Sequence, residues 1–171
     1  MHKIVKAQPK DAELLSKIGA ESFLTAHGHS APKKDIDNYV THNFNENTFK
    51  SDVLDDNNLY YLIYYNNKIA GYSKIIFNKA NKNIPAQNIT NLSRLYLLEE
   101  FYNLGLGKIL FDFNLQLCKK NNQIGIWLAV WVENQKAIKF YNKVGFKKVG
   151  DYNFKISERH SNPNHIMYLE F

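Results

Sequence analysis

The stretch Asn91–Lys108, NLSRLYLLEEFYNLGLGK, decides how this chain is read. Leu95, Tyr96, Leu97 and Leu98 are the apolar end of a strand. Glu99 to Leu104 form a short loop, and Gly105 and Gly107 lead into an amphipathic helix, Lys108 to Lys120. Leu106, Ile109, Leu110, Phe113 and Leu117 share one side of that helix. Lys108, Asp112, Gln116, Lys119 and Lys120 share the other. A helix entry presents unpaired backbone N–H groups and the positive end of the helix dipole. Glycines there let the oxygens of an anion approach the backbone. Two common phosphate motifs do not fit. The Walker pattern needs a glycine where Tyr102 stands and Ser or Thr where Ile109 stands, and the dinucleotide fingerprint needs a third glycine at Leu110. Glycine turns also occur in folds that bind nothing there, so the stretch alone leaves both readings open.

The next segment narrows the choice. IGIWLAVWVENQKAIKFYNKVGF, Ile124–Phe146, reads as a buried strand, then Asn134, then a short helix carrying Ala137, Phe140, Tyr141 and Val144, stopped by Gly145. Gly105-Leu106-Gly107 followed by Asn134, Ala137, Phe140, Tyr141, Gly145 and Phe146 resembles the GCN5-related N-acetyltransferases, the GNAT superfamily. The likeness covers roughly residues 60 to 150. It departs at Tyr102, where the family usually has Arg or Gln. Within the superfamily the likeness is nearer to the bacterial PaiA-type spermidine/spermine acetyltransferases. That finer likeness rests on Gly105–Lys108, the Trp127–Tyr141 run and Glu21-Ser22-Phe23.

The resemblance implies an α/β (α+β) GNAT fold in a single domain, 1–171. Its central sheet would be mixed and mostly antiparallel, of about seven strands splayed at the cofactor site and flanked by about four helices. It also implies acetyl transfer from acetyl-coenzyme A to a primary amine, most closely a polyamine, with no metal. Cofactor contacts then fall on Leu95, Tyr96, Leu97, Asn103, Leu104, Gly105, Leu106, Gly107, Lys108 and Asn134. The Leu97 N–H would be the oxyanion donor. Tyr141 would be the general acid to the coenzyme A sulfur, because a phenol with an ordinary pKa near ~10 is protonated at neutral pH. A packing role for Tyr141 and a helix-capping role for Asn134 stand beside these. Glu21, Phe23, Glu99 and Glu133 are the candidate acceptor contacts, with His27, His29 and Asp37 behind them. No general base is assigned: Arg94 occupies the strand position where some family members carry Glu. Other acceptors, and a coenzyme A-binding regulator without turnover, remain alternatives.

Composition sets the outer bounds. The 171 residues suffice for one domain with a substantial core. Apolar content of 44% and charged content of 22% are ordinary for a globular chain. No apolar run approaches the ~20 residues of a membrane helix, and Met1–Lys6 lacks a signal-peptide core. Cys118 is the single cysteine, which excludes an internal disulfide and leads us to expect a cytoplasmic protein. The net charge of +6 comes from scattered lysines, which suit a polyanionic cofactor better than nucleic acid. A homodimer is open.

Around this centre the chain is read as follows. Lys3–Ala7 is a strand, and Pro9 and Asp11 start a helix with Leu14, Leu15, Ile18 and Phe23 on its stripe. Asp35 is expected to cap a second helix, and a third covers Glu46–Leu54. Leu59–Tyr65 and Lys68–Phe77 are strands joined by a tight turn at Asn66-Asn67. Asn78–Asn88 is a polar loop. Ile124–Val132 is a strand covered on both faces. Phe146–Phe171 holds two strands around a loop, Ser157–Asn164, and Pro163 is expected at a strand's beginning.

Overall fold

A computed structural model describes residues 1–171. Seven strands form one mixed sheet in the order β1-β2-β3-β4-β5-β7-β6. They are β1 (His2–Lys6), β2 (Leu59–Tyr65), β3 (Lys68–Ile76), β4 (Ile89–Leu97), β5 (Gly125–Trp131), β6 (Lys147–Lys155) and β7 (Ser161–Glu170). The helices are α1 (Ala12–His27), α2 (Lys33–Asn43), α3 (Glu46–Leu54), α4 (Leu106–Lys120) and α5 (Gln135–Lys143). There are thus five helices rather than about four; the three before β2 supply the extra one. The chain forms two compact units, Met1–Ile75 with Arg94–Asn114, and Ile76–Ser93 with Leu115–Phe171.

The first unit is built on β1, β2 and β3. Antiparallel registers align Ile4 with Ile63 and Leu62 with Tyr72. Asn66 and Asn67 close the hairpin at φ 47° and 64°, the left-handed pair that a two-residue turn requires. Alternation along the strands, interrupted by a bulge at Ala70 opposite Ile63 and Tyr64, gives the unit two cores. On one face Ile63, Ala70, Phe101, Leu106 and Leu110 are buried together, and Leu95 and Leu97 pack against them. On the other, Tyr60 and Tyr72 meet Phe49 from α3, with ring centroids 6.0 and 6.1 Å apart. Phe44 and Phe23 extend this aromatic layer. Asn45 caps α3 by accepting from the Thr48 N–H at 2.9 Å.

The second unit pairs β5 with β7 and β6 with β7, both antiparallel. Its only parallel contact joins Ile89, Thr90 and Asn91 of β4 to Gly125, Ile126 and Trp127 of β5. A parallel pair needs a crossover, and α4 is that crossover. Gln123 closes the base of the pair: its Oε1 accepts from the Asn78 N–H at 3.0 Å and the Thr90 hydroxyl at 3.2 Å.

Several expected boundaries move. Helix α2 starts at Lys33 behind Pro32, so Asp35 lies inside its first turn and is not the cap. Proline, with its fixed φ, starts the helix earlier than the Asp side chain would. Helix α4 begins at Leu106, before Lys108, and Glu99–Phe101 forms a 3-10 turn within the expected loop. Its fully buried positions are Leu106, Leu110, Phe111, Asn114 and Cys118, while Ile109, Phe113 and Leu117 are half-buried. Asn114 is tolerated there because its amide donates to the Leu110 carbonyl at 2.8 Å and accepts from the Ser73 hydroxyl at 3.2 Å. Strand β5 is buried except at Trp127, which is half-buried, and Ala129, which is exposed. Pro163 is the third residue of β7, not its first. Its carbonyl accepts from the Val132 N–H, so its nitrogen points to the same side, past the end of the β5 ladder, and no bond to β6 is lost.

Candidate active site

The glycine loop has a geometry that follows from its sequence. Asn103 and Gly105 have φ of 62° and 74°. A β-carbon on Gly105 would meet nothing within 4 Å, and one on Gly107 would meet only Leu97 Cδ1 at 3.6 Å. The space in front of the loop is therefore open. The Ile109 N–H bonds the Gly105 carbonyl at 3.1 Å. That leaves the N–H groups of Leu106, Gly107 and Lys108 ahead of the first helical bond, as a helix start must. Leu106 is anchored in the core, whereas Leu104 is 47% exposed. Lys108 is exposed and pairs with Asp112 at 2.6 Å, one turn on.

The end of β4 is held from both faces. Leu95 and Leu97 pack on the α4 side, and Tyr96 points the other way to Tyr72, with centroids 5.6 Å apart. The Leu98 N–H bonds the Ala70 carbonyl, and the Leu97 carbonyl accepts from the Ser22 hydroxyl at 3.3 Å. Gly71 is required by the close approach of β4: a β-carbon there would lie 2.1 Å from the Tyr96 carbonyl oxygen. Tyr102 is half-buried, and burial raises its phenol, with Glu99 adding to the shift.

In the second unit Asn134 caps α5: its Oδ1 accepts from the Ala137 N–H at 3.1 Å. Tyr141 sits between Phe140 and Phe146, at 5.3 and 5.4 Å. Phe140 is not the ring that fills the core. Helix α5 buries none of its residues, Phe140 and Tyr141 are both half-exposed, and Phe146 is the buried ring at 3%. The helix is short and polar, and the ring that fills the core, Phe146, follows it just before β6.

The acceptor candidates separate. Glu21 is exposed on α1, and Phe23, two residues on and nearly on the opposite face, is buried against Tyr39 and Phe44. Glu99 and Glu133 are exposed. Asp37 pairs with Lys33 on the surface of α2. His27 is the last residue of α1; His29 lies beyond it and is exposed. Burial, and then the charge of His29, push His27 down to about 4.

Sequence reasoning missed a cationic cluster in the aromatic layer. Arg94 stacks on Phe44 and Phe49, its guanidinium carbon 5.0 and 5.1 Å from their centroids. Lys74 pairs with Asp52 at 2.6 Å, and Asp52 also accepts from the Tyr60 hydroxyl. Burial holds the Lys74 ammonium below the ordinary lysine range, with Asp52 acting in the opposite direction. The available signal was parity: Arg94 and Tyr96 alternate with Leu95 and Leu97 on one strand, so they must face the aromatic helices.

The sequence profile of the acetyltransferase (GNAT) family matches residues 21–146. The chain belongs to the GNAT acetyltransferase family. It is 26% identical over 156 residues to an uncharacterized N-acetyltransferase of Lactobacillus delbrueckii subsp. lactis, covering 91% of this chain and 90% of that one. It is 26% identical over 160 residues to an uncharacterized N-acetyltransferase of Mycobacterium tuberculosis, covering 94% and 97%. Its fold is that of the PaiA N-acetyltransferase of Thermoplasma acidophilum in complex with coenzyme A, at a TM-score of 0.78, 19% identity, and 100% and 99% coverage. As a GNAT protein the chain is an acetyl-coenzyme A-dependent N-acetyltransferase. The open glycine loop with its unpaired N–H groups fits the pyrophosphate of that co-substrate. No helix of this GNAT protein is long and apolar enough to cross a membrane.

Proposed function

We propose that this enzyme acetylates a primary amine by direct attack in a ternary complex. The observation that carries the reading is the loop at Asn103–Lys108: positive φ at Asn103 and Gly105, open space in front, and three donors ahead of the first helical bond. In this reading Asn103 to Lys108 hold the pyrophosphate through backbone N–H groups. Leu95, Tyr96 and Leu97 line the pantetheine arm, and the Leu97 N–H steadies the oxygen that gains charge. Acetyl-coenzyme A, when bound, supplies the activated acetyl carbon. The amine nitrogen forms a bond to that carbon as the carbon–sulfur bond breaks. The ammonium gives one proton to solvent before attack, the attacking nitrogen gives up a second as the amide forms, and the Tyr141 hydroxyl gives one to the departing sulfur and is reprotonated from solvent. Asn134 fixes the start of the helix that carries Tyr141.

A polyamine is the acceptor that the PaiA-type resemblance suggests. The likeness of fold to a PaiA enzyme and the exposed carboxylates Glu21, Glu99 and Glu133 support it. The net charge of +6 opposes a polycation at long range, although salt screens this beyond about 8–10 Å. The lone buried cysteine supports a reducing, cytoplasmic setting, and a homodimer is part of the same reading.

Calorimetry with acetyl-coenzyme A, followed by thiol release with a panel of amines, tests this. Saturable binding and amine-dependent release are expected. Binding without release from any amine makes the protein a coenzyme A sensor instead.

A further inference from the structure

Arg94 is a cation without a counter-ion in a setting that demands one. It lies on β4, three residues before Leu97 and so about 10 Å back along the strand. Phe44 and Phe49 lie on one side of its guanidinium, their centroids 6.1 Å apart, and neither ring is a partner for its N–H donors. No carboxylate pairs with it. The acidic member of the cluster, Asp52, is already shared by Lys74 and Tyr60. Beside it the Tyr72 hydroxyl, on a fully buried side chain, lies against Arg94, and its oxygen can accept from one guanidinium N–H. The remaining donors of Arg94 meet no carboxylate, and part of its surface is open. A half-buried charge of this kind is costly unless an anion completes it.

We propose that Arg94 recognises the acceptor, and that the acceptor is a small amine that also carries a carboxylate, such as a free amino acid. This rests on the acetyltransferase reading and competes with the polyamine acceptor that the PaiA-type resemblance suggests. The planar edge of a guanidinium matches a carboxylate in a bidentate pair. Lys74 is neutralised by Asp52, so the cluster offers one net positive charge. That balances a monoanionic carboxylate better than a dianionic phosphate, and it repels the ammonium groups of a polyamine. Arg94 acts on binding, not on the reacting atoms.

The test compares matched acceptors: L-lysine, L-lysinamide, cadaverine, spermidine and phosphoethanolamine, each by thiol release and by thermal shift of the cofactor-free protein. L-Lysine is expected to show a KM at least about tenfold below those of L-lysinamide and cadaverine. Arg94→Gln is expected to erase that ratio while leaving the KM for acetyl-coenzyme A unchanged, and Arg94→Lys to keep part of it. An unchanged acid-to-amide ratio in Arg94→Gln overturns the proposal and makes Arg94 a packing residue, as does a wild-type preference for spermidine. A preference for phosphoethanolamine overturns the carboxylate assignment. Failure of acetyl-coenzyme A to bind at all would instead refute the transferase reading. In that case the thermal shift still decides Arg94: stabilisation by L-lysine but not L-lysinamide supports it, and equal shifts overturn it.

Discussion

Acid should loosen this protein through one histidine. His27 ends α1 with its ring 5.0 Å from Phe23, and burial pushes it down to about 4. An unfolded chain titrates histidine near ~6.5. A depressed folded pKa means that the native state resists the proton that the unfolded state accepts. Stability from His27 is therefore complete above about pH 6.5 and is lost as pH falls toward about 4. Between about pH 7.5 and pH 5 the two titrations differ by about 2 kcal/mol, a roughly thirtyfold change in the folding constant. The exposed carboxylates held below their usual range, Glu13, Asp151 and Glu158, begin to matter only below that window. Urea unfolding followed by circular dichroism at both pH values measures the effect. His27→Gln, which cannot titrate, should remove most of the pH dependence. Equal slopes for wild type and variant would refute the assignment of a buried, neutral His27.

Other perturbations follow from the same contacts. Tyr141→Phe should lower kcat by about 10²-fold with little change in the KM for acetyl-coenzyme A, read by steady-state thiol release; an unchanged kcat removes Tyr141 as the acid. Asp52→Ala should cost about 2 kcal/mol in urea, below the usual ~3–5 for breaking a buried pair because Asp52 keeps 28% of its side chain exposed. Gly71→Ala should lower Tm by about 5–10 °C in a thermal scan, since its β-carbon would collide with the Tyr96 carbonyl, and backbone rather than a side chain must yield.

Much of the fold was legible because local chemistry and tertiary packing agree. Asn66-Asn67 reads as a left-handed turn and is one, and Asn134 reads as a cap and is one. The glycine loop is visible because only a few residue types accept positive φ. What stayed hidden depends on residues far apart in the chain. The cluster around Arg94 draws Phe44, Phe49, Tyr60 and Tyr72 from separate elements, and no spacing rule joins them. Asn114 looks like a surface residue until its partner Ser73, on another element, is known. Phe146 rather than Phe140 is the buried ring, because the short helix α5 buries none of its residues and the segment after it fills the core. For the acceptor site, sequence favoured exposed acids such as Glu21, whereas the structure draws attention to a cation that an acid-based search passes over.

The account depends most on transfer itself. The decisive measurement is product mass and released thiol, followed together when enzyme, acetyl-coenzyme A and L-lysine are mixed. The account predicts one acetylated amine for each thiol freed and neither without the amine. Thiol freed with no acetylated amine, or acetyl-coenzyme A left intact beside every amine tried, would contradict it.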